Sequence, residues 1–144
     1  MANNRSVATY DPKAISITFG NIIFYGYADG DFLEITGEDG FESREGSDGS
    51  EDRINKNKIG KDVNITLMST SITNDALYSA YNTDSSTNAG KKPLYVKDLN
   101  GTMRLFSEQA YIKKLPDKTS GDSAGSVTWN LRAPQAEYIP GSNL

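Results

Sequence analysis

Apolar and polar side chains alternate along A-I-S-I-T-F (14–19), with Ile15, Ile17 and Phe19 on one side and Ser16 and Thr18 on the other. A period of two marks a half-buried strand, because successive Cβ atoms point to opposite faces of a sheet. Gly20-Asn21 supplies a tight turn, and I-I-F-Y-G-Y (22–27) reads as the returning strand. F-L-E-I-T (32–36) places Leu33 and Ile35 on one face and Phe32, Glu34 and Thr36 on the other. K-D-V-N-I-T-L-M-S (61–69) resumes the alternation, with Val63, Ile65 and Leu67 inward and Asp62, Asn64 and Thr66 outward. Further strands are expected at 93–98, at 102–112 with a bend near Ser107, and at 126–132, where Val127, Trp129 and Leu131 face inward. Asn100-Gly101 is the strongest hairpin signal in the chain.

The pattern changes period once. T-N-D-A-L-Y-S-A-Y-N (73–82) carries Leu77, Ala80 and Tyr81 at spacings of three and four, which predicts a short helix. Thr73 is its expected N-cap, Asp75 suits the first turn, and Ile72 with Leu77 occupies the positions of a hydrophobic staple. About seven strands and one helix predict a mainly β fold, an antiparallel sandwich or partly closed barrel. The expected organisation is a polar arm at 1–13, one β domain at 14–132 and a polar C-terminal tail at 133–144.

One stretch breaks the strand pattern. E-D-G-F-E-S-R-E-G-S-D-G-S-E-D-R (38–53) holds seven acids and two arginines, with Phe41 as its one large apolar residue. The whole insert, 37–61, far exceeds an ordinary connection of about four to six residues. As a hairpin of about twelve residues per arm at roughly 3.3 Å each, it would reach on the order of 40 Å. An isolated two-stranded ribbon is marginal in water, so such an insert needs a neighbour. Its composition is that of a segment that orders on contact, and it points to self-assembly.

Composition removes several classes of chemistry. The chain has 144 residues, enough for one domain with a real core, and 36% are hydrophobic. Its mean hydropathy is −0.56, so much of it is loop, arm or solvated surface. A net charge of −4 lacks the basic footprint expected of a protein that grips nucleic acid. Cysteine is absent, which excludes disulfides, thiolate nucleophiles and zinc ribbons. Histidine is absent as well, which removes the usual general base and the commonest metal ligand and makes a serine triad impossible. The opening residues have no apolar run that would serve as a signal peptide, and no window is apolar enough to predict a membrane span.

The acids were weighed for chemistry. Asp29-Gly-Asp31 and Glu34 could form part of a carboxylate pair, but a turn followed by a solvated strand face accounts for them. Neither D-G-D-F-L-E nor S-D-G-S-E-D has the alternating oxygen spacing of a calcium loop. Tyr25, Tyr27, Tyr95, Tyr111 and Trp129 could build a stacking platform for sugars or bases; core and subunit contacts are the plainer assignment. The reading is therefore of a protein that is not an enzyme and carries no metal or cofactor.

The order of motifs carries more than any single one. Y-D-P-K-A-I-S-I-T-F-G (10–20) is followed by G-Y-A-D-G-D-F-L-E-I (26–35), T-S-I-T-N-D-A-L (70–77), P-L-Y-V-K-D-L-N-G-T (93–102) and A-Y-I-K-K-L-P-D (110–117), before the strand with Trp129. Together these resemble the small tail tube proteins of tailed bacteriophages, chiefly those with contractile tails, over about residues 10–132. The resemblance implies hexameric rings stacked into a hollow tube, with one sheet per subunit joined into an inner barrel. It also implies sheath, baseplate and tail terminator partners, transient passage of DNA, no membrane partner, assembly in the host cytoplasm and residence in the virion tail.

A passage for DNA must not bind it, so acidic and neutral polar side chains are expected on its wall. Glu34, Thr36, Asn64 and Thr66, outward on the strands flanking the insert, are the candidate lumen residues, with Glu42, Glu45 and Asp48 where the ribbon faces inward. Glu38, Phe41, Arg44, Glu51, Arg53, Lys56 and Lys58 are the candidate inter-subunit or inter-ring contacts. Two other readings compete: a monomeric carbohydrate-binding module of similar architecture, and a hexameric tube protein of a bacterial contractile injection or secretion system.

Overall fold

The computed structural model describes residues 7–143; residues 1–6 of the expected arm lie outside the described residues. A 3-10 turn, Pro12–Ala14, leads into β1 (Ile15–Phe19), which turns back at Gly20 (φ +62) into the short β2 (Ile22–Ile23). β3 (Leu33–Gly37) and β6 (Lys61–Met68) flank the insert, which contains β4 (Phe41–Glu45) and β5 (Glu51–Asn55). The helix α1 (Thr73–Thr87) precedes β7 (Lys92–Asp98), β8 (Arg104–Lys114), β9 (Ser126–Ala133) and β10 (Glu137–Ile139). Every strand pairing is antiparallel, in the order β2-β1-β7-β8-β9-β6-β3, with β10 also on β8. The architecture is mainly β with one α-helix, as the periodicity predicts, and the long insert, expected as a hairpin or loop, is a hairpin.

β8 is the hinge of this path. Its first half pairs with β7 and its last residues, Tyr111–Lys114, pair with β9. Between Ser107 and Ala110 the register slips against β7, and Glu108 and Gln109 are both exposed between two buried residues. An extra residue in one strand bends it and raises its twist, which is the bend expected near Ser107. The buried Ser107 hydroxyl donates to the Pro134 carbonyl at 2.8 Å, tying the bend to the corner between β9 and β10. Folded over this bend, the two halves share one core: Ile17, Phe19, Leu94, Val96 and Leu105 from one, and Val63, Ile65, Leu67, Trp129 and Leu131 from the other.

Four local expectations are corrected. The strand read at 22–27 ends at Ile23, because the helix start takes the backbone of Tyr25: its N–H donates to Thr73 Oγ1 at 3.0 Å and its carbonyl accepts from Ser71 Oγ at 2.6 Å. The chain then crosses to the other half, where Tyr27 bridges Leu67. Thr73 is not the N-cap but the first helical residue, buried, while Ser71 Oγ accepts from the Thr73 N–H at 3.2 Å. Ile72 is 77% exposed, so it forms no staple with buried Leu77. The helix runs on to Thr87, where Ser86 and Thr87 hydroxyls bond back to the carbonyls of Asn82 and Thr83, and it ends on left-handed Asn88.

Residues 133–144, read as a tail, hold β10 and a closing latch. Asn143 Nδ2 donates to the buried Asp98 carboxylate at 2.7 Å, and Thr102 N–H donates to the Ser142 carbonyl at 2.9 Å. Asn100 Nδ2 donates to the Thr9 carbonyl at 2.8 Å, so one turn holds chain near both ends.

Candidate functional site

β3, β6 and β9 present one outward polar face. The register sets Glu34 beside Asn64 and Asn64 beside Asn130; Thr36, Asp62 and Arg132 form the next row, and Thr66 stands beside Thr128. Inward residues of the same strands are the apolar core, so alternation alone forces these side chains out. Asn64 Nδ2 donates to Glu34 Oε1 at 3.0 Å, and the Thr66 and Thr128 hydroxyls lie 3.0 Å apart. Asp62 accepts from Arg132 Nη1 at 3.2 Å and lies 3.7 Å from Lys113 Nζ of β8. The candidate residues Glu34, Thr36, Asn64 and Thr66 thus belong to one surface.

Sequence reading had missed Thr128, Asn130 and Arg132 as members of it. Their outward side was legible from the alternation around Trp129; the adjacency of β9 to β6 was not. The face is also not acidic. Glu34 and Asp62 share this face with Arg132, Lys113 and, opposite Asn130 on β8, Lys114, and the remaining side chains of the β3, β6 and β9 rows are amides and hydroxyls.

This sheet has two open edges among the described residues. β3 pairs only with β6, and Tyr111–Lys114 of β8 pairs only with β9, because β7 reaches no further than Ala110.

The acidic insert folds as a hairpin growing from β3 and β6. Its paired arms run five residues each, with Lys56 N–H on the Gly40 carbonyl at 2.9 Å, shorter than the twelve-residue arms expected. Every residue of both strands is exposed. One face carries Phe41, Ser43, Glu45, Glu51, Arg53 and Asn55; the other carries Glu42, Arg44, Asp52 and Ile54. Glu42 and Glu45 therefore point to opposite sides. The Arg53 guanidinium covers the Phe41 ring at 4.6 Å, and Arg44 lies 3.5 Å from Asp52. At the neck, Lys58 Nζ lies 3.9 Å from Glu38. Lys56 closes the ladder through its backbone. Glu45 sits directly opposite Glu51, a like-charge pair that weakens the tip. Asp48 shapes the turn, accepting from Ser50 Oγ at 2.7 Å and Ser50 N–H at 3.1 Å, and these bonds hold its carboxyl below the usual range.

The aromatic residues do not converge on a platform. Trp129 is buried with Nε1–H on Asn74 Oδ1 at 2.9 Å, Tyr27 stacks on Phe32, and Tyr95 meets Phe106 edge-on. Among the described residues no three acidic side chains form a ligand set for a metal ion, and no helix is long and apolar enough to cross a membrane.

No known protein-family model matches the chain, and no curated protein does. Solved structures share its fold. A chain in the cryo-EM structure of the anti-feeding prophage cap, which terminates the tube, superposes with a TM-score of 0.64 at 9% identity over 96% of each chain. A chain in the virion of a native gene transfer agent particle gives 0.62 at 9% identity, covering 91% of this chain and 99% of that one. A chain in the sheath/tube terminator of the extracellular contractile injection system PVC, in its extended state, gives 0.63 at 10% identity, over 94% and 99%. The fold is thus one found in tail assemblies of contractile injection systems and phage-like particles, including assemblies that terminate a tube.

Proposed function

We propose that the chain is a structural subunit of a phage-like tail, closing into hexameric rings that stack as the tube through which the genome leaves. The observation that carries this is the sheet β3-β6-β9-β8, polar on its outward face and open at both edges. Open edges are templates for further pairing. Two different edges on one subunit make a heterologous contact, which closes as a ring when each copy pairs its β3 with the β8 end of the next. The joined sheets form an inner barrel whose wall is the row of Glu34, Thr36, Asn64, Thr66, Thr128 and Asn130.

Such a wall stays non-adhesive chiefly because its cations are paired, Lys114 with Asp117 at 3.8 Å among them. Asp62 holds Arg132 and Lys113, so neither cation is free to release counterions from a passing duplex. The acids of the ribbon reach outside the subunit to the adjacent ring. Sheath, baseplate and terminator proteins would then meet the outer surface and the tube ends.

A second reading is a ring that ends the tube, favoured by the likeness to chains from tube-terminating assemblies. Negative-stain microscopy with sedimentation of the purified full chain tests both. Tubes of indefinite length support the tube subunit, isolated rings support the terminal ring, and a monomer persisting at high concentration overturns assembly and returns a monomeric module.

A further inference from the structure

A groove of about 640 Å³ lies between β2 and the outer side of α1. Ile22 and Ala80 form its floor, and Ile23, Tyr25 and Ile72 stand exposed at its rim. Ala76 and Ser79 are small, so the helix leaves room where a bulky residue would fill it. Lys92 is the one charged residue of the lining, with its stem across Gly20.

The ribbon is the complementary object. Its two large apolar side chains lie on opposite faces: Phe41 is 51% exposed with the Arg53 guanidinium over one side of its ring, and Ile54 is 43% exposed with Glu42 directly across the ladder. An acid beside a half-exposed aliphatic residue matches a lysine in an apolar groove. Among the described residues, nothing in the strand pairing or the ion pairs ties the ribbon to its own body beyond its neck.

We propose that the groove between β2 and α1 receives the ribbon of a second copy of this chain, with Ile54 seated between the rim residues and Glu42 against Lys92. The inference rests on the assembly reading above and supplies its acceptor surface. Burial of a half-exposed aliphatic side chain provides the attraction, and the charge pair sets the register. The ribbon, marginal alone, gains the packing against a helix that stabilises a two-stranded hairpin.

The absence of native cysteine permits a direct test. Ile54→Cys and Ala76→Cys are made as separate variants, mixed, assembled and treated with a short bismaleimide; Ile54→Cys mixed with Ser120→Cys is the comparison. Cross-linked dimers in the first mixture and not in the second are the expected result. Rings or tubes in the microscope with no Ile54–Ala76 cross-link overturn the docking site and leave the assembly reading standing. Failure to assemble at all removes both. Ala76→Trp, which fills the groove without touching the ribbon, should raise the concentration needed for assembly about tenfold or more; unchanged assembly by a folded Ala76→Trp also overturns the inference.

Discussion

Asp62 accepts from the Arg132 guanidinium at 3.2 Å across the β6–β9 ladder, and the same carboxylate oxygen lies 3.7 Å from Lys113 Nζ. One acid thus occupies two cations on the polar face. With 30% and 49% of the Arg132 and Lys113 side chains exposed, the pairing contributes little to stability, about 0–1 kcal/mol. Its consequence is for what the face attracts.

Removing that carboxylate should make assembled protein adhesive. Asp62→Asn is expected to fold and assemble normally and to retain duplex DNA on sedimentation, with retention falling steeply as salt rises. Asp62→Asn combined with Arg132→Gln should lose most of the retention. Equal DNA recovery from wild type and Asp62→Asn would remove Arg132 and Lys113 from any DNA-facing wall.

Asn74 fastens the helix to the sheet: its Oδ1 accepts from Trp129 Nε1–H at 2.9 Å and its Nδ2 donates to the Met68 carbonyl at 3.1 Å. Asn74→Ala leaves a largely buried indole N–H without an acceptor, at a cost of about 1–3 kcal/mol. Asn74→Asp keeps an acceptor for the indole but loses the Nδ2 donation to the Met68 carbonyl at 3.1 Å, so it should recover only part of the loss. Chemical denaturation followed by Trp129 fluorescence measures both; equal midpoints for the alanine variant and wild type would show the bond to be dispensable.

Gly141 has φ +66, and a Cβ there would approach the Met103 nitrogen to 2.3 Å. Gly141→Ala should therefore detach the final residues from the β7–β8 turn, breaking the Thr102–Ser142 bonds and freeing Asn143 from Asp98. Amide exchange at Thr102 would accelerate while the core strands stay protected. Unchanged protection at Thr102 would mean that the latch holds by other contacts.

Burial pushes the Tyr27 hydroxyl up to about 12. A phenol with a raised folded value contributes stability that is complete below its unfolded value near 10 and is lost as pH climbs through the folded one. Thermal unfolding of the wild type should thus fall across pH 10–12 more steeply than that of Tyr27→Phe, with parallel behaviour at pH 7–9. Identical alkaline profiles for the two would contradict the burial of Tyr27 as the cause.

Local pattern determined a good deal. Alternation alone placed Ile15, Ile17, Phe19, Val63, Ile65, Leu67, Val127, Trp129 and Leu131 in the core, because a period of two leaves an apolar residue no other dry face. It also put Glu34, Asn64 and Thr66 outward, while the length of the acidic insert left a hairpin or a loop open. What it left open depends on groups distant in the chain. The short β2 and the start of α1 were decided by Ser71 and Thr73 hydroxyls capturing the Tyr25 backbone, a competition between segments 46 and 48 residues apart. The pairing of charges on the polar face required β9 to lie beside β6, which brought Arg132 to Asp62 across 70 residues. Side-chain orientation is set by each strand's own pleat, whereas which charges meet is set by strand order, and only the packed chain chooses that order.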